Sequence, residues 1–367
     1  MGNAKMTEVA DAMLSWYDEN GRDLPWRIKG APHHDPYHVW LSEIMLQQTT
    51  VVTVKPYFEK FIQLWPTVKD MACAPLDDIL TQWAGLGYYA RARNLHKCAE
   101  EVCRKWGGEF PATEEDLLSL PGIGPYTAAA IAAIAFDEAA VVIDGNIERI
   151  VTRLYRFDGT LPAARPDIKA LAAQHTPNNR PGDYAQSLMD LGSRICKPKK
   201  PLCHECPIQV NCAAFEAGDM EQFPKKAPKK VKPTRRAPVF WIENERGEVL
   251  LRRREETGLL GGMMEFPSAD WVEREDKADI LSEVAEILAE DVGLVNELKS
   301  AKTVTPIKHT FTHFHLYLHP YIIRAETEFG GNWAVWARPE DFRDYALPTL
   351  MTKVAKKVAE GQEVLPL

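Results

Sequence analysis

Four of the seven cysteines fall within seventeen residues, at Cys196, Cys203, Cys206 and Cys212, with the spacing Cys-x6-Cys-x2-Cys-x5-Cys. Thiolates are soft ligands, and four of them suit zinc or an iron–sulfur cluster. Zinc sites usually use two close pairs. Here only Cys203 and Cys206 are close, which favours wrapping a larger group, although the ligand rules alone leave a zinc knot open. Two carboxylates also stand out. Glu43 lies among Trp40, Leu41, Ile44 and Met45. Burial there would raise its pKa and keep it protonated as a general acid; on periodicity alone it could equally lie on the polar face of its helix. Asp144 follows the apolar run Val141–Ile143 and precedes Gly145 and Asn146. As a helix N-cap it is worth about 1 kcal/mol. Backbone donors would also hold it fixed and ionised, able to stabilise positive charge developing beside it.

These groups must be positioned by helices. Residues 5–222 read as consecutive helical segments, with starts expected after Thr67, Pro75, Thr113, Pro166 and Pro181. No strand is expected before residue 237. Leu120-Pro121-Gly122-Ile123-Gly124-Pro125-Tyr126 joins two helical patterns. Gly122 and Gly124 allow a tight turn that bares backbone N–H groups at a helix N-terminus, a ready phosphate site. Alone, such a turn is more often an ordinary helix connection. Cys73, Cys98 and Cys103 read as buried thiols.

Residues 225–236 carry seven Lys and Arg and no acid, the composition of an extended basic linker. The pattern then changes. Val239–Ile242 and Val249–Leu251 around the turn Glu245–Gly247 read as a hairpin, Asp279–Asp291 as an amphipathic helix, and Ile307–Tyr317 and Trp333–Trp336 as strands. The expected organisation is multidomain, α then α+β: helical 1–224, linker 225–237, and an α+β domain 238–367. Net charge is −8, which argues against nucleic acid as a partner, but residues 239–300 hold sixteen Asp and Glu against seven Lys and Arg. The acidity is therefore concentrated, and a basic face can exist elsewhere. No apolar run approaches the roughly 20 residues of a membrane helix. With no apolar signal core at the start, a cytoplasmic protein without membrane partners is expected.

The cysteine spacing, read with the hairpin and the acid twenty-two residues beyond Gly122, resembles the helix-hairpin-helix DNA glycosylase superfamily, and within it the MutY family of adenine DNA glycosylases. The segment Trp40-Leu41-Ser42-Glu43-Ile44-Met45-Leu46-Gln47-Gln48-Thr49 is similar to that family's. The resemblance implies a helix-hairpin-helix glycosylase core with a structural [4Fe-4S] loop, followed by a Nudix/MutT-like domain. It implies that Glu43 protonates adenine N7 and Asp144 stabilises the sugar cation, with Tyr126 and Asn146 assisting. Related lyases carry at position 126 a Lys that forms a Schiff base; Tyr126 cannot, so water is the expected nucleophile. Gln48, and Leu86 and Tyr88 in Gly85-Leu86-Gly87-Tyr88-Tyr89, match base-stack wedges, and the resemblance makes Thr49 a further DNA-binding residue; Trp26, Arg27 and Gln186 match the adenine pocket. Lys197, Lys199 and Lys200 suit phosphate contact.

Gly258–Pro267 resembles a segment shared with Nudix hydrolases, whose metal box is degraded here. Val272 and Ala278 fall on its Gly and early Glu, and Glu286 and Ile287 on its Arg-Glu pair. Phe311, Thr312 and His313 match a Phe-Ser-His loop that reads 8-oxoguanine in the family, with Thr in place of Ser; on pattern alone they form a hairpin with surface His. The implied partner is duplex DNA with adenine opposite 8-oxoguanine or guanine, bound by a monomer. Three rivals remain: a lyase acting on oxidised pyrimidines, a redox-sensing DNA-binding protein, and a Nudix nucleotide hydrolase.

Overall fold

Thr67 caps its helix by accepting from Asp70 N, and Asp70 returns the bond to Thr67 N. Thr113 accepts from Asp116 N, and Asp35, followed by Pro36, accepts from Tyr37 N. Each satisfies N–H groups that a helix start leaves without partners. The computed structural model describes residues 2–27, 34–228, 231–255, 257–273, 301–325 and 334–363. They form two compact units, residues 1–74 with 94–229 and residues 75–93 with 230–367. In chain order the first helices are α1 (Gly2–Asn20), α2 (Pro36–Leu46), α3 (Val51–Leu64), α4 (Val68–Cys73), α5 (Leu76–Gln82) and α6 (Ala90–Trp106). They are followed by α7 (Glu114–Leu118), α8 (Pro125–Phe136), α9 (Gly145–Leu154), α10 (Arg165–Ala173), α11 (Pro181–Arg194) and α12 (Ala213–Ala217).

The alanine-rich α8 is the buried axis of the first unit and packs against α2, α7 and α11. Gly182 makes the α8–α11 crossing close: a Cβ there would lie 2.5 Å from the Ala133 carbonyl oxygen. Helices start after Thr67, Pro75 and Thr113 as expected, whereas α10 begins at Arg165 and α11 at Pro181 itself, because each proline sits inside the first turn, where its missing N–H costs nothing. Two small departures concern strands. Thr160–Leu161 (β1) pairs in parallel with Lys225–Lys226 (β2), so the basic segment is partly built into the helical unit. Two-residue strands leave no alternating pattern to read. Cys98 is buried as expected, but Cys103 is half-buried and Cys73, the last residue of α4, is exposed.

In the second unit β3 (Thr234–Asn244) and β4 (Val249–Arg253) form the expected hairpin, turning at Gly247 with φ +75°, but β3 begins inside the expected linker, paired with β9 from Thr234 on. Further strands are β5 (Met264–Glu265), β6 (Val272–Glu273), β7 (Lys302–Thr303), β8 (Ile307–Thr310), β9 (His315–Ala325) and β10 (Ala334–Ala337). The main sheet order is β10-β4-β3-β9-β7, with β3 and β9 parallel over eleven residues. The single strand expected over Ile307–Tyr317 is instead β8 and the start of β9, antiparallel, with Phe311 N donating to Phe314 O across the tip. The alternating pattern runs through both strands and hides the turn. A terminal helix, α13 (Thr349–Glu363), buries Leu350, Met351, Val354 and Val358 in the core on one sheet face. The expected helix Asp279–Asp291, with Ala278, Glu286 and Ile287, lies outside the described residues, as does Trp333. No described helix is long and apolar enough to cross a membrane.

Candidate active site

Glu43 sits on α2 with 6% of its surface exposed. Burial pushes its carboxyl up to about 7; the Tyr126 hydrogen bond opposes this, Asp144 adds to it, and Arg27 opposes it. The rise amounts to about 3 kcal/mol against the charged form. The Tyr126 hydroxyl, presented by the first turn of α8, donates to Glu43 Oε2 at 2.6 Å. Its own phenol is raised well above the ordinary value, first by burial and then by Glu43 and Asp144. Tyr126 therefore stays a donor at every physiological pH.

Asp144 is the N-cap of α9. Its Oδ1 accepts from Asn146 N at 2.9 Å and Ile147 N at 2.7 Å, and its Oδ2 from Asn146 Nδ2 at 2.9 Å. Burial pushes this carboxyl above the usual range, while those donors and Arg149 pull it back. Asn146 is fixed in turn by Arg149 Nη2, 2.8 Å from its Oδ1. Gly192 of α11 makes room for it, since a Cβ there would lie 2.5 Å from Asn146 Cβ. Glu43, Tyr126, Asp144 and Asn146 line one cleft of about 810 Å³, within the usual range for a small-molecule site.

Trp26, Arg27, Gln48, Thr49, Gly122, Gly124 and Gln186 line the same cleft. Trp26 is buried and packs edge-on against Phe58. Gln186 is 2% exposed, and its Nε2 is buried without a hydrogen-bond partner in the protein. Such a donor is costly to leave unmade. Gln48 is exposed between α2 and α3 at φ +59°. A residue with a Cβ holds that left-handed conformation at a cost of roughly 1–2 kcal/mol. Thr49 is half-buried beside it. Gly122 needs to be glycine twice over, with φ +76° and Asn94 Cβ 2.7 Å from where a Cβ would be. Gly124 caps α8 without any side-chain bond to the first-turn N–H groups.

In the second unit Tyr88 is 48% exposed and also left-handed, at φ +48°. Its hydroxyl lies 2.9 Å from the Thr312 hydroxyl at the β8–β9 tip. Arg91 steadies the loop by donating to Leu86 O and Gly87 O, with its guanidinium over the Tyr88 ring. Leu86 is a correction: only 5% of it is exposed, so its side chain belongs to the core and Tyr88 alone is presented. Gly85 and Gly87, both at positive φ, turn the chain so that Leu86 points inward. Phe311 stacks on Trp271 at 5.6 Å, and Thr312 and His313 are exposed.

Among the described residues no group of His, Cys, Asp or Glu is gathered tightly enough to hold a single metal ion. Cys203, Cys206 and Cys212 nevertheless lie within electrostatic reach of one another and of Cys196. Burial first, then the neighbouring thiols, push Cys206 up to about 12. Arg153, itself buried, donates to Cys196 Sγ at 3.3 Å and to the carbonyls of Lys197 and Pro198. A donor set of thiols only, spread around a common space and backed by a guanidinium, fits an iron–sulfur cluster.

Sequence reading missed Asp190, which is fully buried and holds Arg27 and Arg22. Its signal was present: it lies one helical turn beyond Gln186, on the same face of α11.

A helical core with a glycine hairpin and a capped carboxylate, together with a mixed sheet bearing a terminal helix, defines a class. Residues 41–172 match the HhH-GPD superfamily base excision DNA repair protein family and residues 238–357 the NUDIX domain family. A thermostable thymine-DNA glycosylase of known structure is 30% identical, with a TM-score of 0.53 over 59% of this chain and 100% of that one. The human adenine DNA glycosylase is 34% identical over 98% of this chain and 75% of its own length. That of Buchnera aphidicola subsp. Acyrthosiphon pisum is 35% identical over 93% and 95%. The chain belongs to the adenine DNA glycosylase family, hydrolases that act on N-glycosyl bonds in base excision repair.

Proposed function

We propose that this glycosylase removes adenine opposite 8-oxoguanine, and more weakly opposite guanine, from duplex DNA, as a hydrolase without efficient lyase activity. The observation that carries the monofunctional reading is Tyr126. Its hydroxyl is committed to Glu43, and no lysine is among the described residues lining the cleft. An imine to the sugar has no amine to form it there. With Oε2 accepting from Tyr126, the Glu43 proton sits on Oε1 and passes to N7 of a flipped adenine. The C1′–N9 electrons leave with the base, Asp144 steadies the sugar cation, and water adds to C1′ as its proton passes to the Glu43 carboxylate. Gln186 Nε2 meets an acceptor on the base, and Trp26 and Arg27 wall the pocket.

Gln48 and Tyr88 fill the stack that the flipped base leaves, which accounts for two exposed side chains held in a strained backbone. The Gly122–Gly124 turn and Lys197, Lys199 and Lys200 grip phosphates. Thr312 presents its hydroxyl to the lesion in concert with Tyr88, and Phe311 and His313 flank it. The test is a set of labelled duplexes carrying A:8-oxoG, A:G or an oxidised pyrimidine. Adenine loss should be fastest opposite 8-oxoguanine, with strand breaks appearing only after alkali and little trapping by borohydride. Efficient trapping, or cleavage of the pyrimidine substrate, would overturn the reading.

Cys196, Cys203, Cys206 and Cys212 hold a [4Fe-4S] cluster, which when bound supplies a structural anchor for the lysine-bearing loop. Purified protein should be brown and carry about four iron atoms per chain. Stoichiometric zinc without iron, in aerobic and anaerobic preparations alike, would show a zinc knot instead.

A further inference from the structure

Asp190 uses both carboxylate oxygens. Arg27 Nη1 lies 3.0 Å from Oδ1 and 2.9 Å from Oδ2. Arg22 donates its Nε to Oδ1 at 2.7 Å and its backbone N to Oδ2 at 2.8 Å. Burial alone would push the Asp190 carboxyl up, but the two arginines outweigh it and hold it below its ordinary value. A buried ion pair of this kind adds little net stability over an apolar packing, so its consequence lies in where it puts charge. Both arginines line the cleft that contains Glu43.

Arg27 is faced by the Tyr17 ring of α1 at 5.9 Å, by His34, and by Asp190. Glu43 is faced by Tyr126, Asp144 and Arg27. Among the described residues no ion pair joins Arg27 to Glu43; each has a different partner. We propose, on the adenine glycosylase reading above, that Asp190 is a positioning residue for base release. It anchors Arg27 to the cleft wall, so that the guanidinium borders the base without pairing with Glu43. Released from Asp190, Arg27 is left with Glu43 and Asp144 as the carboxylates of the cleft. A pair with Glu43 would keep that carboxyl ionised and without a proton to give.

The experiment follows single-turnover adenine release from about pH 5 to about pH 9 for wild type, Asp190→Asn, Asp190→Glu, Arg27→Met and the Asn/Met double variant, with a melting curve for each. Protonated Glu43 is the active form, so rate is lost as pH rises through its pKa. Asp190→Asn should move that alkaline limb down by about one pH unit, lowering the rate near pH 8 about tenfold and the rate on the acid side far less. Asp190→Glu should restore the wild-type limb. Arg27→Met, alone or with Asp190→Asn, should move the limb up, because the competing charge is gone. A folded Asp190→Asn with an unmoved limb, or one slowed equally at every pH, overturns the proposal. If Asp190→Asn does not fold, Asp190→Ser takes its place, and an unmoved limb in that variant overturns the proposal equally. Wild-type protein that releases no adenine at any pH would instead sink the underlying reading.

Discussion

Glutamine in place of Glu43 will slow single-turnover adenine release by at least about 10²-fold, the size of one general-acid contribution. The substitution keeps the shape of the side chain, and the amide oxygen can still accept from Tyr126, so the packing of α2 and α8 is retained. An amide has no acidic proton to hand to a leaving base. DNA affinity should stay within a few fold. A second signature accompanies the loss. With Glu43 at about 7, wild-type rate should be full below that value and fall as pH rises through it; the slow Gln variant should lack this fall. Near wild-type turnover, or an unchanged alkaline limb in the variant, would remove Glu43 from the role of acid.

Asp144→Asn should cost a similar factor, at least about 10²-fold, for a different reason. Asparagine Oδ1 can still accept from Asn146 N and Ile147 N, so the start of α9 survives. The anion is what disappears. The new amide also meets a conflict. Asn146 Nδ2 donates to this position, and Asn146 cannot simply turn over, because Arg149 holds its Oδ1. Two donors then face each other at a cost of about 1 kcal/mol. The variant should bind DNA, melt a few degrees lower, and release adenine slowly across the whole pH range. Wild-type single-turnover rate in this variant would show that Asp144 is only a cap.

Local signals in the sequence carried over well. The capping residues at 67, 113 and 144, and the glycine turn at 247, act within a few residues of themselves, and short-range chemistry is legible in one dimension. What was not legible depends on distant partners. Asp190 has one local signal, its place a turn beyond Gln186, but its role is legible only when Arg22 and Arg27, more than 160 residues away, are brought against it. Leu86 shares a wedge-like motif with Tyr88, and only the turns at Gly85 and Gly87 separate the buried side chain from the presented one. Cys73 was expected inside because cysteine is usually buried, but α4 ends at that residue and leaves it at the surface. The β8–β9 turn was invisible because apolar and polar residues alternate straight through it.

Residues 75–93 are grouped with residues 230–367, not with the residues that flank them in sequence. Their ties include the Arg253–Asp77 ion pair at 2.7 Å and the Tyr88–Thr312 hydrogen bond. A ribosome delivers the N-terminus first, at about 5–20 residues per second. The aromatic loop therefore emerges many seconds before the strands that complete its surroundings. During that interval Tyr88 and its neighbours are available to chaperones, and a nascent chain stalled after residue 229 would carry the loop without its partners.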